Sequence, residues 1–172
     1  MSKRYELVLA IYLTRRGFAF VVFEGPLSPV DWGITRRDGL EKNDRCLKVI
    51  STLLQRYRPD VLVLQDTSWT GTHRPQRITN LNSATFELAE RQSIAVCAFS
   101  SERVRVAFSH LGTPNKYAIA EAIAKHIPAF ERYLPPPRKP WMSEDIRMGL
   151  FEAAALVLTF FHSKADGEQD AA

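Results

Sequence analysis

The sequence predicts an α/β domain built on a mixed five-stranded sheet, three antiparallel strands followed by parallel ones, with helices on both faces. Three observations carry that expectation. Strand-like apolar runs open the chain in quick succession, with connections too short to hold a crossover helix. Further on, short runs of valine and leucine alternate with segments of helical periodicity, as parallel strands covered on both faces require. The 172 residues, 45% hydrophobic and 24% charged, suffice for one domain with a substantial core.

Tyr5 to Leu13 is the first expected strand, a mostly apolar run with β-branched and aromatic residues. Arg15-Arg16-Gly17 supplies a turn, Phe18 to Glu24 a second strand, Gly25-Pro26 a break and Val30 to Thr35 a third strand. Asp38 or Asn43 offers a cap for a helix whose Leu40, Leu47, Ile50, Leu53, Leu54 and Tyr57 share one face. Pro59 ends it, and Val61 to Gln65 follows as a buried parallel strand. Thr67 to Arg77 reads as a polar, basic loop, and Asn80 to Arg91 as a helix. Ile94 to Phe99 is another buried strand, and Ser100 to Phe108 a short basic segment. Pro114, at a first helical turn, opens a helix running through Phe130. Pro135 to Pro140 is a stiff linker, and Trp141-Met142 a staple packing on the core where the last helix starts. Ser143 caps that helix, Glu144 to Phe161. Residues 1–162 thus form one domain, and residues 163–172, small and acidic, a flexible tail. A doubly wound nucleotide-binding order fits less well, because it wants a helix between the first two strands.

The net charge of +4, with a pI of about 9.2, suits a polyanionic partner without demanding one. Cys46 and Cys97 read as small core residues, not as a disulfide framework or a zinc site, which points to a reducing cytoplasm. Neither a secretion signal nor a membrane span is legible. His110, His126 and His162 lack metal-ligand spacing, and the chain has no phosphate-cradling glycine loop.

The most informative stretch is Pro59-Asp-Val-Leu-Val-Leu-Gln-Asp66, a short apolar strand ending in polar side chains. Together with the first strand's Ala10-Ile-Tyr-Leu-Thr14, the basic Ser101-Glu-Arg-Val-Arg105, Thr113-Pro-Asn-Lys116 and the late Gly149-Leu-Phe-Glu-Ala-Ala154, it resembles the RuvC family of Holliday-junction resolvases, over residues 6 to 162. In that family the first strand ends Gly-Ile-Asp-Pro-Gly, the fourth begins after Pro-Asp and ends in Glu, and the last helix carries Asp-x-x-Asp-Ala-Leu. The resemblance implies an RNase H-like fold, branched DNA as partner, a homodimer and two magnesium ions held by carboxylates. The matching positions here are Tyr12, Gln65, Gly149 and Glu152, of which only Glu152 is acidic. A phenol, an amide and a bare glycine supply none of the charge that a two-metal centre uses.

A shifted set, Asp66, Asp145 and Glu152, offers an alternative magnesium site if the strand register slips by one residue and Asp145 shares a helical face with Glu152. Each of the three also has an ordinary reading: loop capping, helix-dipole complement and ion pairing. The basic residues survive better. Arg15, Arg16, His73, Arg74, Arg77, Arg105 and Lys116 can contact phosphates, and Trp69 can stack on a splayed base. The leading expectation is a RuvC-like domain without two-metal nuclease activity that binds structured or branched nucleic acid. The alternatives are an active magnesium-dependent endonuclease and a non-catalytic protein-interaction subunit.

Overall fold

The computed structural model describes residues 6–68 and 74–170. Five strands, β1 (Val8–Thr14), β2 (Gly17–Phe23), β3 (Pro29–Arg36), β4 (Val61–Gln65) and β5 (Ala95–Phe99), form one sheet in the order β3-β2-β1-β4-β5. β1 pairs antiparallel with β2, and β2 with β3; β1 and β4 are parallel, as are β4 and β5. The expected mixed five-stranded sheet is therefore the observed one. The tight β1–β2 turn depends on Gly17, whose φ is +150° and whose added Cβ would lie 1.9 Å from the Thr35 carbonyl oxygen.

β1 is central and sorts its side chains by alternation. Val8, Ala10 and Tyr12 face a layer formed by α4 (Lys116–His126) and α5 (Met148–Asp170). Leu9, Ile11 and Leu13 face the opposite layer, α1 (Lys42–Tyr57) and α2 (Gln76–Arg91). α5 lies close to the sheet because small residues, Gly149, Ala153 and Ala154, occupy its inner face and are buried. A Cβ at residue 149 would come within 3.2 Å of Thr14 Cγ2 and 3.3 Å of Ala19 Cβ.

Several boundaries differ from expectation, each for a local reason. β1 begins at Val8; Tyr5 lies outside the described residues. α2 starts at Gln76, directly after Pro75, rather than at Asn80. The segment after β5 is a helix, α3 (Ser101–Ala107), because the Ser100 side chain accepts the Arg103 N–H at 3.1 Å. β5 is half-exposed, not buried, since it is an edge of the sheet. α4 is capped by Asn115, which accepts the Ala118 N–H at 2.8 Å, and it stops at His126. Ile127, preceding Pro128, is extended, and a 3-10 turn over Pro128–Tyr133 follows. The last helix starts at Met148, not Glu144, and runs on through the expected tail to Asp170. Arg103 donates to Ser163 Oγ at 3.2 Å, Lys164 pairs with Glu6, and His162 lies 3.2 Å from Asp166, which accounts for that continuation. No helix among the described residues is long and apolar enough to cross a membrane.

Candidate functional site

The carboxyl ends of the parallel strands β1 and β4 meet the N-terminal ends of α3, α4 and α5, the edge of an open α/β sheet where ligands bind. Tyr12, Gln65, Arg105, Lys116 and Glu152 line a cavity of about 40 Å³ there, over an apolar floor that includes Phe99 and Phe151. That volume admits a few water molecules at roughly 10–15 Å³ each, not a nucleotide. Three family-matching positions, Tyr12, Gln65 and Glu152, are thus brought together. Gly149 sits one helical turn before Glu152, at the close approach of α5 to β1 and β2.

The register of β4 is fixed by its partners. Gln65 Nε2 donates to Ser101 Oγ at 3.1 Å, and the Gln65 carbonyl accepts from Asn82 Nδ2 at 3.0 Å. Asp66 accepts the Ser68 N–H at 2.9 Å and the Ser68 hydroxyl at 2.6 Å, an Asx turn that closes the strand end. Asp145 lies before α5, not on it, and makes a two-pronged pair with Arg147 at 2.9 and 2.7 Å. That guanidinium lowers its pKa. The shifted set Asp66, Asp145 and Glu152 is therefore not assembled, and no group of three His, Cys, Asp or Glu side chains able to hold a metal occurs among the described residues.

Cations occupy the centre instead. Lys116 Nζ lies 3.8 Å from Glu152 Oε1 and 3.7 Å from Glu144 Oε1. The Arg74 guanidinium stands 5.2 Å from the Tyr12 ring centroid, donates to its hydroxyl at 3.3 Å and also donates to the Leu13 carbonyl. Burial pushes the pKa of Glu152 up, more than Lys116 pulls it down. The Tyr12 phenol is likewise raised, first by burial and then by Glu152. For Lys116 burial works downward, but Glu152, Tyr12 and Glu144 outweigh it and raise the pKa. The phenol and ammonium both stay protonated at neutral pH. The donor set does not fit a magnesium pair, which needs several anionic oxygens in octahedral array.

The basic residues divide. Arg15 and Arg16 are exposed at the β1–β2 turn, and Arg105 is exposed on α3. Arg77, in contrast, is committed internally: it donates to Asn43 Oδ1 at 2.9 Å and to the carbonyls of Thr14 and Arg15 at 3.2 Å. Arg74 is drawn to Tyr12 rather than to the rim. Trp69 and His73 lie outside the described residues. Sequence reasoning misses Ser101 and Glu144. Glu144, expected in the last helix, sits instead in the irregular segment before α5 and from there reaches Lys116.

The RuvC structure from Thermus thermophilus matches this chain with a TM-score of 0.67, covering 94% of this chain and 96% of that one at 16% identity. The fold is RuvC-like. The T. thermophilus RuvC complex with a Holliday junction substrate matches at TM-score 0.63 and 17% identity, covering 94% and 96%. The yeast mitochondrial Holliday junction resolvase matches at 0.62 and 14%, covering 95% of this chain and 83% of that one. No protein-family model and no curated protein sequence matches. The RuvC-like fold expected from element order is thus the fold observed, at a sequence identity that leaves side-chain chemistry to be argued from this chain's own residues.

Proposed function

We propose that this chain is a RuvC-like domain that binds structured or branched nucleic acid through a cationic rim and lacks two-metal nuclease chemistry. The observation that carries the reading is the pairing of Lys116 with Glu152, the one acidic residue among the four family-matching positions. A fixed ammonium and the nearby Arg74 guanidinium supply the positive charge that divalent ions supply in a carboxylate-lined site. Around this neutralised centre Arg15, Arg16 and Arg105 remain exposed. Phosphate contacts of this kind give affinity without sequence readout. Support for a branched substrate comes from the solved complex of T. thermophilus RuvC with a Holliday junction.

The test uses the full chain with a four-way junction and a matched duplex. Junction binding is expected to weaken with salt, with a log–log slope of about −3 to −4 if four phosphates are neutralised. No nicking is expected with magnesium or manganese, and neither ion should shift the melting temperature, whereas a real site at 100-fold its Kd would add about 2.7 kcal/mol. Junction nicking that Glu152→Gln abolishes would overturn the reading.

A further inference from the structure

Beyond the small cavity, past Arg105 and Lys116, the surface opens into a groove of about 950 Å³ whose far wall is Pro135, Pro136, Pro137 and Arg138. That wall belongs to a strap running from the end of the 3-10 turn to α5. It is held at its start: Pro135 is buried, and the Tyr117 hydroxyl donates to its carbonyl at 2.8 Å. Consecutive prolines fix the backbone, and the Met142 N–H closes a turn on the Lys139 carbonyl at 3.0 Å. The result is a rigid presentation of Trp141, which is 78% exposed. The expectation that Trp141 and Met142 pack on the core fails here; both side chains stand in solvent.

A lone exposed indole is ordinary on a protein surface, so a partner for it has to be argued from what surrounds it. Its immediate surroundings identify that partner. Lys139 Nζ lies 5.4 Å from the Trp141 ring centroid, and Arg138 and Lys139 are both exposed. Lysine is depleted in protein-docking patches; this indole has a lysine against its ring. The groove's lining is charge-balanced, with Arg105, Lys116 and Arg138 against Glu102, Glu144 and Asp145; the strap itself, Pro135 to Met142, carries only cations. An exposed indole with an ammonium against it, on a strap whose only charges are positive, matches an unpaired base flanked by phosphates.

We propose that the Pro135–Met142 strap is a single-strand contact in which Trp141 stacks on an unpaired base while Arg138 and Lys139 hold the adjoining phosphates, beside the groove that Arg105 lines. The inference rests on the nucleic-acid reading above and extends it from duplex arms to unpaired strand. Preorganisation by the prolines keeps the ordering cost of the contact small.

The experiment measures anisotropy of a labelled oligo-dT of about 20 nucleotides and, separately, of a fully paired four-way junction, against the full chain. Trp141→Ala is expected to weaken oligo-dT binding roughly 5- to 150-fold, and Trp141→Phe to restore most of it. Replacing Arg138 and Lys139 together by alanine should reduce the magnitude of the salt slope by about 1.4. All three positions are exposed, so the melting temperature serves as a folding control. If Trp141→Ala binds oligo-dT within about twofold of wild type while the junction is still bound, the strap inference falls and the reading it rests on stands. If wild type binds neither, both fall.

Discussion

Replacing Lys116 by methionine tests whether its half-exposed ammonium stands in for metal charge at the strand tips. The perturbation keeps the aliphatic stem and removes the charge 3.8 Å from Glu152 and 3.7 Å from Glu144. At this spacing a unit pair is worth about 1 kcal/mol in water-like surroundings and about 4 kcal/mol at an effective dielectric of 20. The Lys116 side chain is 51% exposed and that of Glu152 21%, so solvent screening holds the value near the lower end, about 1–2 kcal/mol. The two single substitutions should be unequal. Lys116→Met leaves a part-buried carboxylate bare, whereas Glu152→Gln removes a charge whose burial already opposes it and leaves Lys116 with water and Glu144. Urea unfolding of the two variants and the double variant gives the coupling. The expected pattern is a loss of about 2 kcal/mol for Lys116→Met, a much smaller change for Glu152→Gln, and a coupling of about 1–2 kcal/mol. In thermal scans the first loss corresponds to roughly 4–8 °C for a chain of this size. A coupling below about 0.3 kcal/mol would refute the idea that Lys116 neutralises the site.

Arg74→Ala should cost about 1–2 kcal/mol in urea unfolding, because it removes the cation over Tyr12 and leaves the Leu13 carbonyl without its guanidinium donor. The pKa of Lys116 is raised above 10.5, so its own titration removes the contribution as pH climbs through the folded pKa; the stability gap between wild type and Lys116→Met should close at strongly alkaline pH and also shrink in acid, as Glu152 takes up a proton. Glu152 is raised above 4.5, so its contribution is greatest in acid and declines as pH rises through its folded pKa, a trend absent from Glu152→Gln in pH-dependent denaturation. Gly149→Ala should destabilise by up to about 2 kcal/mol, because crowding by Thr14 and Ala19 costs about 1–3 kcal/mol and alanine's better helix propensity offsets about 1; a neutral or stabilising result would mean that these neighbours give way freely.

The sheet was legible because β1 and β4 are covered on both faces and carry unbroken apolar runs, while the short connections among β1, β2 and β3 left only an antiparallel meander. Tyr12, Gln65 and Glu152 could be grouped from the resemblance, and the alternation of β1 together with the Gln65–Ser101 bond explains why they converge. What resisted reading was decided by contacts that periodicity does not encode. Arg77 looks like any loop cation until its hydrogen bonds to Asn43 and two strand-end carbonyls are seen. The last helix looks longer at its start than it is, because Asp145 spends its carboxylate on the turn before α5. Trp141, expected to staple the entry of the last helix to the core, is held away from it by the proline strap.

The packing of α5 against the β1–β2 turn also constrains how this chain could change. Any side chain at residue 149 asks Thr14, Ala19 or the helix itself to give by a few tenths of an ångström. Charge alone therefore does not rebuild a two-metal centre; the helix–sheet contact has to yield along with it.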